Sequence, residues 1–222
     1  MVHTPALLAL LACAAPALAQ TSIISSVNKF SWSENCGWMN WRDANGGTQG
    51  VRRISNFLTG YIWAENVGWI NTGSGTPANG TAYANTTGAD SGVNVDAATG
   101  NLSGYAWGEN IGWINFSAAA PLGPAYAARW DSAGGRLRGY AWGENIGWLN
   151  FDDSGKFVGF TCYANCDEST TAPVLNVLDF SCFLNKFAAG DPYANCDNST
   201  TPPVLNVLDF SCFLNKFAAG CN

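Results

Sequence analysis

Histidine is almost absent from this chain of 222 residues, and its single copy, His3, lies near the start. Residues 1–19 have the features of a secretory leader, so we expect the exported chain to contain no histidine. This excludes Ser–His and Cys–His nucleophile pairs, histidine-ligated zinc and imidazole acid–base chemistry. No other feature of the sequence indicates a reaction, and we therefore predict that the protein is not an enzyme.

Long hydrophobic runs are also missing. The apolar run near the start, from about Ala6 to Leu18, is shorter than the roughly 20 residues that a membrane-spanning helix needs. It ends in the small-residue sequence Ala17-Leu18-Ala19. This pattern predicts a signal peptide over residues 1–19, with cleavage after Ala19. We expect a secreted protein, extracellular or at the cell surface, that does not span a membrane.

Charge is scarce as well. Only 12% of the residues are charged, and the formal net charge at pH 7 is −6. Nucleic acids bind to basic faces of proteins, so no nucleic-acid partner is expected, and anionic membrane surfaces are disfavoured for the same reason. Few charges beside plentiful Gly, Ala, Asn, Thr and Ser favour an extracellular protein rich in β-structure.

The chain does contain a repeated tryptophan motif, W-x-E-N-x-G-W-x-N, which occurs four times between about residues 28 and 155. Short runs rich in Val, Ile, Tyr and Trp, bounded by Gly, Asn and Asp, predict antiparallel strands around it. We expect four hairpins over residues 20–158, with Asn in a left-handed turn conformation and Gly permitting a bulge. The paired tryptophans are Trp32/Trp38, Trp63/Trp69, Trp107/Trp113 and Trp142/Trp148.

Two interpretations of these tryptophans are open. They either face each other across each hairpin and form a hydrophobic core, or they are a row of sugar-stacking platforms with Glu and Asn as hydroxyl partners. The sequence favours the core, because all four copies keep the pattern, whereas binding positions tend to vary between copies. The candidate core or ligand-facing residues are Trp63, Trp69, Trp107, Trp113, Trp142 and Trp148.

The glutamate of the motif also occurs four times. A glycosidase needs two carboxyl groups at a defined separation with different pKa values. Four equivalent copies argue against such a division of roles, so no catalytic residue is predicted. The glutamates are Glu34, Glu65, Glu109 and Glu144.

Cysteine is rare before residue 160. Cys36 occupies the motif position that Val67 and Ile111 hold in other copies. We expect a buried apolar thiol there, with an intermolecular disulfide as the alternative.

A second repeat occupies the tail, where Tyr163–Gly190 and Tyr193–Gly220 differ at only two positions. Phenylalanine and leucine at i, i+3, i+4 and i+7 predict one helix in each copy, ending near a C-terminal glycine. Neither helix can bury its apolar face alone, so we expect the two copies to pack face to face around a local two-fold axis. The tail, residues 159–222, is thus predicted to be a small all-α module behind a mainly β domain.

An oxygen-rich loop precedes each predicted helix. Side chains that alternate along the loop, together with a carboxylate at its end, are the donors that calcium prefers. In the first copy these are Asn165, Asp167, Ser169 and Asp179; in the second they are Asn195, Asp197, Ser199 and Asp209.

This duplicated loop–helix unit, with V-L-N-x-x-D-F in each copy, resembles a dockerin. The repeated F-A-A-G, the paired cysteines and the near-terminal Gly220-Cys221 are similar to the GC-type dockerin-like domains of exported planctomycete-type bacterial proteins. The resemblance covers residues 162–222. It implies an EF-hand-like module that docks onto a cohesin-like or cell-surface protein, on carriers that often belong to polysaccharide-degrading systems.

The resemblance also implies two calcium sites and adds the carbonyl groups of Val174 and Val204 to the ligands named above. This sequence departs from the family pattern in three ways. Each loop is about three residues too long, the mid-loop glycine is missing, and the first ligand is Asn rather than Asp. The sequence therefore leaves calcium open.

The tail cysteines offer a replacement for the metal, because an exported chain meets an oxidising compartment. A disulfide inside each copy would join loop to helix and contribute about 3 kcal/mol. Six cysteines allow 15 connectivities, and symmetry favours the one that joins Cys166 to Cys182, Cys196 to Cys212 and Cys162 to Cys221.

These observations predict an exported, non-catalytic surface protein. Its tail anchors or assembles it by protein–protein docking, and its β-repeats serve as a display scaffold. The alternative is a carbohydrate-binding accessory module of an extracellular polysaccharide-degrading system, in which the repeats bind a glycan.

Overall fold

The computed structural model describes residues 22–169, 171, 173–197 and 199–221. The predicted signal peptide of residues 1–19 lies outside these residues. The described chain is mainly β, with two helices near its C-terminal end, which confirms the predicted fold class. The strands are β1 (Ile24–Ser33), β2 (Gly37–Asn40), β3 (Arg52–Ile54), β4 (Phe57–Thr59), β5 (Tyr61–Ala64), β6 (Gly68–Asn71), β7 (Val93–Val95), β8 (Leu102–Gly108), β9 (Gly112–Asn115), β10 (Arg129–Asp131), β11 (Arg136–Arg138), β12 (Tyr140–Gly143), β13 (Gly147–Asn150) and β14 (Val158–Phe160); the helices are α1 (Val177–Ala189) and α2 (Val207–Ala219).

The four tryptophan motifs form the four predicted hairpins, β1–β2, β5–β6, β8–β9 and β12–β13. Each hairpin pairs antiparallel with the next one, through β2–β5, β6–β8 and β9–β12. The last hairpin returns to the first, because β13 pairs with β1. The sheet therefore closes into an eight-stranded antiparallel barrel whose walls are the four repeats, and closure removes its exposed edges.

The barrel interior is filled in layers, because successive side chains of a strand point to opposite faces. One layer takes an aliphatic residue from the same position of each hairpin, and a second layer near one end is aromatic. In the aromatic layer the rings of Trp41 and Phe151 lie 5.6 Å apart, and those of Phe116 and Phe151 lie 6.1 Å apart. The aliphatic layer consists of Met39, Ile70, Ile114 and Leu149, which are all fully buried.

The remaining strands extend the barrel wall. β3, β4 and β7 continue from β8, and β10, β11 and β14 continue from β1. Between β6 and β7 lies a long connection that includes a short 3-10 helix, Gly88–Asp90. This connection covers part of the barrel surface beside the third hairpin.

The tail forms two helices of identical sequence, VLDFSCFLNKFAA. Asn176 and Asn206 cap the two helices through capping boxes. The Asn side chain accepts a backbone N–H of the first turn, and the Asp three residues later accepts the backbone N–H of the Asn. Gly190 ends α1 in the left-handed conformation. The buried rings of Phe183 and Phe213 stack at 4.3 Å, so the helices pack face to face as predicted.

A local two-fold relation between the tail copies extends beyond the helices. The rings of Tyr163 and Tyr193 stack at 4.7 Å, and each hydroxyl donates to the backbone carbonyl of the other tyrosine. Lys216 lies over the ring of Tyr163, and Lys186 lies over that of Tyr193. The duplicated sequence thus produces duplicated contacts, as expected for two equal halves that bury one shared face.

Candidate functional site

The turn of each tryptophan hairpin places its glycine, not its asparagine, in the left-handed conformation. In the second hairpin Val67 N–H donates to the carbonyl of Ala64 (3.2 Å), and Gly68 follows with φ = 83°. This is a hairpin loop built on a tight turn, with a left-handed glycine at the start of the returning strand. The expectation that the motif asparagine adopts a left-handed backbone is wrong, because the glycine two residues later takes that conformation without a Cβ clash.

The motif asparagine instead joins neighbouring hairpins. Asn66 Nδ2 donates to the carbonyl of Cys36 at 3.2 Å, and Asn145 Nδ2 donates to that of Ile111 at 3.0 Å. Asn110 makes the same bond to Val67, at 3.1 Å. Each of these bonds runs from one turn to the turn before it. The asparagines therefore hold one end of the barrel together.

At the junction between the last hairpin and the first, a serine replaces the asparagine as the hydrogen-bond donor. Ser33 Oγ donates to the carbonyl of Ile146 at 2.5 Å, across the seam between the last hairpin and the first. Asn35 lies beside the same turn, since a Cβ built on Gly147 would lie 3.6 Å from its Nδ2. The seam is therefore tied in the same region of the turn as the other three junctions.

The residue after each motif asparagine plugs this end of the barrel. Ile111, Ile146 and Cys36 are buried there, and Val67 is partly buried. Cys36 is a free thiol, which confirms the predicted buried apolar position. Burial raises the pKa of the Cys36 thiol, so the thiol stays protonated and unreactive at neutral pH.

The eight motif tryptophans lie on the outside of the barrel. Their exposed fractions range from 36% to 44%. The expectation that they form the core is wrong, because each hairpin directs its alternate aliphatic residues inward and its tryptophans outward. The predicted pairing across the hairpin is confirmed, with Trp63 opposite Trp69 and Trp142 opposite Trp148.

Each hairpin carries a third aromatic residue on the same outer face. In the third hairpin the ring of Tyr105 lies 5.9 Å from Trp113, and Trp113 lies 4.6 Å from Trp107. We call such a set an aromatic triad. The four triads are Phe30/Trp32/Trp38, Tyr61/Trp63/Trp69, Tyr105/Trp107/Trp113 and Tyr140/Trp142/Trp148.

Neighbouring triads face each other across a groove. The register between hairpins places the asparagine that ends one hairpin opposite the first tryptophan of the next, as in Asn115 opposite Trp142. The same pairing joins Asn40 to Trp63. Each groove therefore combines an aromatic pair and an asparagine from one repeat with a tryptophan and a glutamate from the next.

We name two of these grooves by the hairpins that flank them. Groove 3/4 has a cavity volume of about 620 Å³ and is lined by Tyr105, Trp113, Asn115, Trp142 and Glu144. Groove 1/2 has a volume of about 330 Å³ and is lined by the equivalent Phe30, Trp38, Asn40, Trp63 and Glu65, together with Lys156. Both volumes lie within the usual range of small-molecule sites. Two separate cavities thus have the same chemical plan.

The motif alone did not show that residues of neighbouring repeats meet in a groove. The aromatic residue two positions before the first tryptophan and the asparagine two positions after the second were both visible in all four copies. Their meeting across repeats depends on the order of the hairpins around the barrel. The loop residues Asn85, Thr86 and Ser91, which also line groove 3/4, carried no sequence signal.

The tail loops direct their closing carboxylates at backbone N–H groups. Asp209 Oδ1 accepts from Cys196 (2.8 Å) and Asp197 (3.3 Å), and its Oδ2 accepts from Asn206 (2.8 Å). Asp179 makes the matching bonds to its own loop, on both carboxylate oxygens. The closing residues thus cap the helices and hold the loops together.

Several of the other predicted calcium ligands also make hydrogen bonds within the protein, whereas the buried Asn195 Oδ1 has no partner among the described residues. Asn165 Oδ1 and Asp167 Oδ1 both accept from Ser169 N–H, at 3.0 and 2.9 Å. In the second loop Ser199 N–H donates to Asp197 Oδ1. Among the described residues, no three acidic, cysteine or histidine side chains converge on a point.

The resemblance assigned the backbone carbonyls of Val174 and Val204 to the calcium sites. The side chain of Val174 is buried beside Gly135, whereas that of Val204 is exposed. Calcium takes six to eight oxygen ligands, and both oxygens of Asp179 and of Asp209 already accept backbone N–H groups. Calcium binding by these loops stays a prediction.

Disulfides join loop to helix in both tail copies. Cys166 bonds to Cys182 and Cys196 to Cys212, with the Cα atoms of each pair 5.8 Å apart. Cys162 bonds to Cys221 and closes the duplicated unit. These are the three pairs that symmetry favoured.

In comparisons with known proteins, no family model, curated protein or solved structure matches this chain. Within the described residues, no helix is long and apolar enough to cross a membrane.

Proposed function

We propose that this is an exported, non-catalytic glycan-binding protein whose barrel holds carbohydrate in the grooves between its aromatic triads. The observation that carries the proposal is the outward orientation of all eight motif tryptophans. Exposed tryptophan is costly to leave in water, and clusters of exposed aromatic side chains mark binding surfaces. The proposal thereby adds carbohydrate binding to the display-scaffold role expected from the sequence.

The chemistry of the grooves suits a sugar ring. The apolar C–H face of a pyranose packs against an indole ring, while its hydroxyl groups need both donors and acceptors at the rim. Asn115 can supply either, and Glu144 supplies acceptors. A few polar groups placed beside aromatic walls are typical of sites that bind small polar ligands.

The proposal includes that the protein binds the glycan without cleaving it. The motif glutamates occupy equivalent turns in successive hairpins, so each groove receives one such glutamate, as Glu144 does in groove 3/4 and Glu65 in groove 1/2. Glycoside hydrolysis uses two carboxyl groups about 5–10 Å apart with different protonation states. A single repeated carboxylate suits hydrogen bonding to a hydroxyl group better than bond cleavage.

For the tail we propose protein–protein docking, supported by duplicated exposed apolar residues. Val177 and Val207 are 73% and 72% exposed, and Leu178 and Leu208 are 60% and 59% exposed. They stand at the start of the two helices, where the shared core does not reach. A partner protein would cover them and so attach the glycan-binding barrel to a cell surface or an assembly.

A glycan array probed with the full exported chain tests the glycan proposal. We expect binding to polysaccharide ligands that weakens when Trp113 or Trp142 is replaced by Ala. Leu122, an exposed apolar residue outside the grooves, gives the control variant Leu122→Ala, which should bind as the unchanged protein does. No binding at any position of the array, or equal loss with the control, would contradict the proposal.

Docking is tested by capture of the full chain on native cell envelopes. We expect Leu178→Asp together with Leu208→Asp to abolish capture while leaving glycan binding unchanged. Capture that persists in this double variant would remove the docking role from the helix starts.

A further inference from the structure

We propose that groove 3/4 is the principal binding site of the barrel and that it takes an uncharged oligosaccharide, whereas groove 1/2 is a weak copy. This inference rests on the proposed glycan-binding function and assigns it to one of several related grooves. Three differences between the two grooves carry it: a preformed wall, a free amide and the charge of the lining.

The wall is the connection between β6 and β7, and of the two named grooves it lines groove 3/4 and not groove 1/2. Thr86, Thr87, Gly88 and Ser91 line the cavity together with the aromatic residues Tyr105, Trp113 and Trp142. A Cβ built on Gly88 would lie 4.0 Å from the indole ring of Trp113, so the wall reaches the aromatic platform. The wall adds hydroxyl groups, and groove 3/4 is about twice as large as groove 1/2.

This wall is held in place by a buried tyrosine. The ring of Tyr83 lies between Gly73 and Gly92, where an added Cβ would come within 2.4 Å of it. Its hydroxyl donates to the carbonyl of Leu58 (3.2 Å) and accepts from Gly75 N–H (2.8 Å). Because ordering a loop on binding costs free energy, a wall that is fixed beforehand favours tighter binding.

Further bonds fix the wall from within. Asp90 accepts from Ala84 N–H and Ala78 N–H through its two carboxylate oxygens. Asn85, which has φ = 55°, accepts from Gly92 N–H at 3.1 Å. The polar side chains of the loop base are therefore occupied in building the wall, and the threonines are left to face a ligand.

The asparagines at the floor of the two grooves differ in what they can offer. Asn115 Oδ1 accepts from Ser117 N–H, and among the described residues its Nδ2 donates to no protein acceptor. The equivalent Asn40 donates its Nδ2 to Asp43 at 2.9 Å. Its Oδ1 accepts from two backbone N–H groups, those of residues 42 and 43. Of the two named grooves, groove 3/4 is therefore the one that presents a free amide donor to a sugar hydroxyl.

The charge of the lining selects the class of ligand. Glu144 is the only charged residue among those that line groove 3/4. A single carboxylate with no cation beside it disfavours uronates, sulfated sugars and phosphates, because like charges repel. It accepts hydrogen bonds from neutral hydroxyl groups, so the expected ligand is an uncharged oligosaccharide. In groove 1/2 Lys156 is present instead of the neutral wall.

The repeat supplies matched variants for the test. Trp113 and Trp38 occupy the same position of groove 3/4 and groove 1/2, and both are exposed. Gly88→Phe would fill groove 3/4 without removing any groove side chain, and Gly88→Ala is its control. Binding of cellohexaose, mannohexaose, N-acetylchitohexaose and hexagalacturonate to the full exported chain is measured by isothermal titration calorimetry.

We expect one of the neutral hexasaccharides to bind, and Trp113→Ala and Gly88→Phe each to weaken it at least about tenfold, as for the loss of a central aromatic anchor. Trp38→Ala and Gly88→Ala should change the affinity less than about twofold. The unfolding midpoint of each variant, followed by tryptophan fluorescence, shows that the barrel remains folded.

The possible failures are distinguishable. Equal loss with Trp38→Ala and Trp113→Ala would overturn the preference for groove 3/4 and leave glycan binding intact. Tighter binding of hexagalacturonate than of every neutral sugar would overturn the uncharged class. Binding of none of the four sugars, with none on the glycan array, would overturn this inference together with the proposed function.

Discussion

At the scale of single residues, the motif assigns different tasks to neighbouring side chains. In the fourth hairpin Trp142 faces outward, Asn145 bonds to the preceding turn, Ile146 plugs the barrel end and Gly147 takes φ = 71°. These tasks are compatible because a hairpin loop directs consecutive residues to different sides. Three of the four junctions around the barrel use the same asparagine bond, and Ser33 supplies the donor at the fourth.

Replacing Asn145 by Ala should destabilise the barrel by about 1 kcal/mol, because the carbonyl of Ile111 loses its side-chain donor. Urea unfolding followed by tryptophan fluorescence measures the change. The neighbouring variant Glu144→Ala serves as the control and should leave the free energy of unfolding nearly unchanged. Equal effects of the two variants would show that the asparagine does not join the hairpins.

Cys36 should be inert as a thiol while the protein is folded. Burial raises the pKa of this thiol above that of the unfolded chain. Its contribution to stability is therefore complete below the unfolded pKa and is lost as the pH rises through the folded pKa. At pH 8 we expect no reaction with a thiol reagent until denaturant is added. Rapid labelling of the native protein would contradict the buried position.

Polarity at position 36 should matter more than size. Val occupies this position in the second hairpin, so Cys36→Val should cost less than about 1.5 kcal/mol. Cys36→Ser buries a hydroxyl group and should cost about 1–3 kcal/mol unless a partner is found. Unfolding free energies of the two variants compare these effects, and a less stable Val variant would indicate a role for the thiol itself.

At the scale of elements, covalent and hydrogen-bonded links hold the loop of each tail copy against its helix. The disulfides join loop to helix, and the closing aspartates accept backbone N–H groups on both oxygens. Two short helices with a shared phenylalanine core would otherwise be marginally stable.

Addition of a chelator should therefore leave the stability of the tail unchanged, whereas loss of one disulfide should lower it. The helix signal at 222 nm reports the tail, and we expect the same unfolding midpoint with excess EDTA and with millimolar calcium. Cys196→Ser together with Cys212→Ser should lower the free energy of unfolding by about 3 kcal/mol. A midpoint that rises with calcium would show that the loops bind the ion.

At the scale of the whole molecule, the β-strands and the tail helices have different spectroscopic reporters. All ten tryptophans precede residue 150, so tryptophan fluorescence reports on the β-structure. The two α-helices lie in the tail and dominate the helical signal. The barrel depends on closure, because no single hairpin can bury its inward aliphatic face by itself.

Leu149→Ala should lower the stability of the barrel by about 2–5 kcal/mol, since the residue is fully buried in the central layer. The shift should be seen by fluorescence and not in the helical signal. Leu122→Ala, which alters an exposed residue, is the control. Equal shifts of both signals would show that barrel and tail unfold together.

The sequence by itself determined the local structure: four hairpins, two amphipathic helices with a glycine end, the disulfide pairs that symmetry favoured and a buried thiol at Cys36. These follow from spacings of a few residues and from duplication, which are local properties. Only the tertiary structure decided which face of each hairpin is buried, because an outer tryptophan and an inner isoleucine alternate and both are apolar. Barrel closure assigned the tryptophans to the outside. It also brought Asn115 and Trp142 from different repeats into one groove, a distance that no single motif encodes.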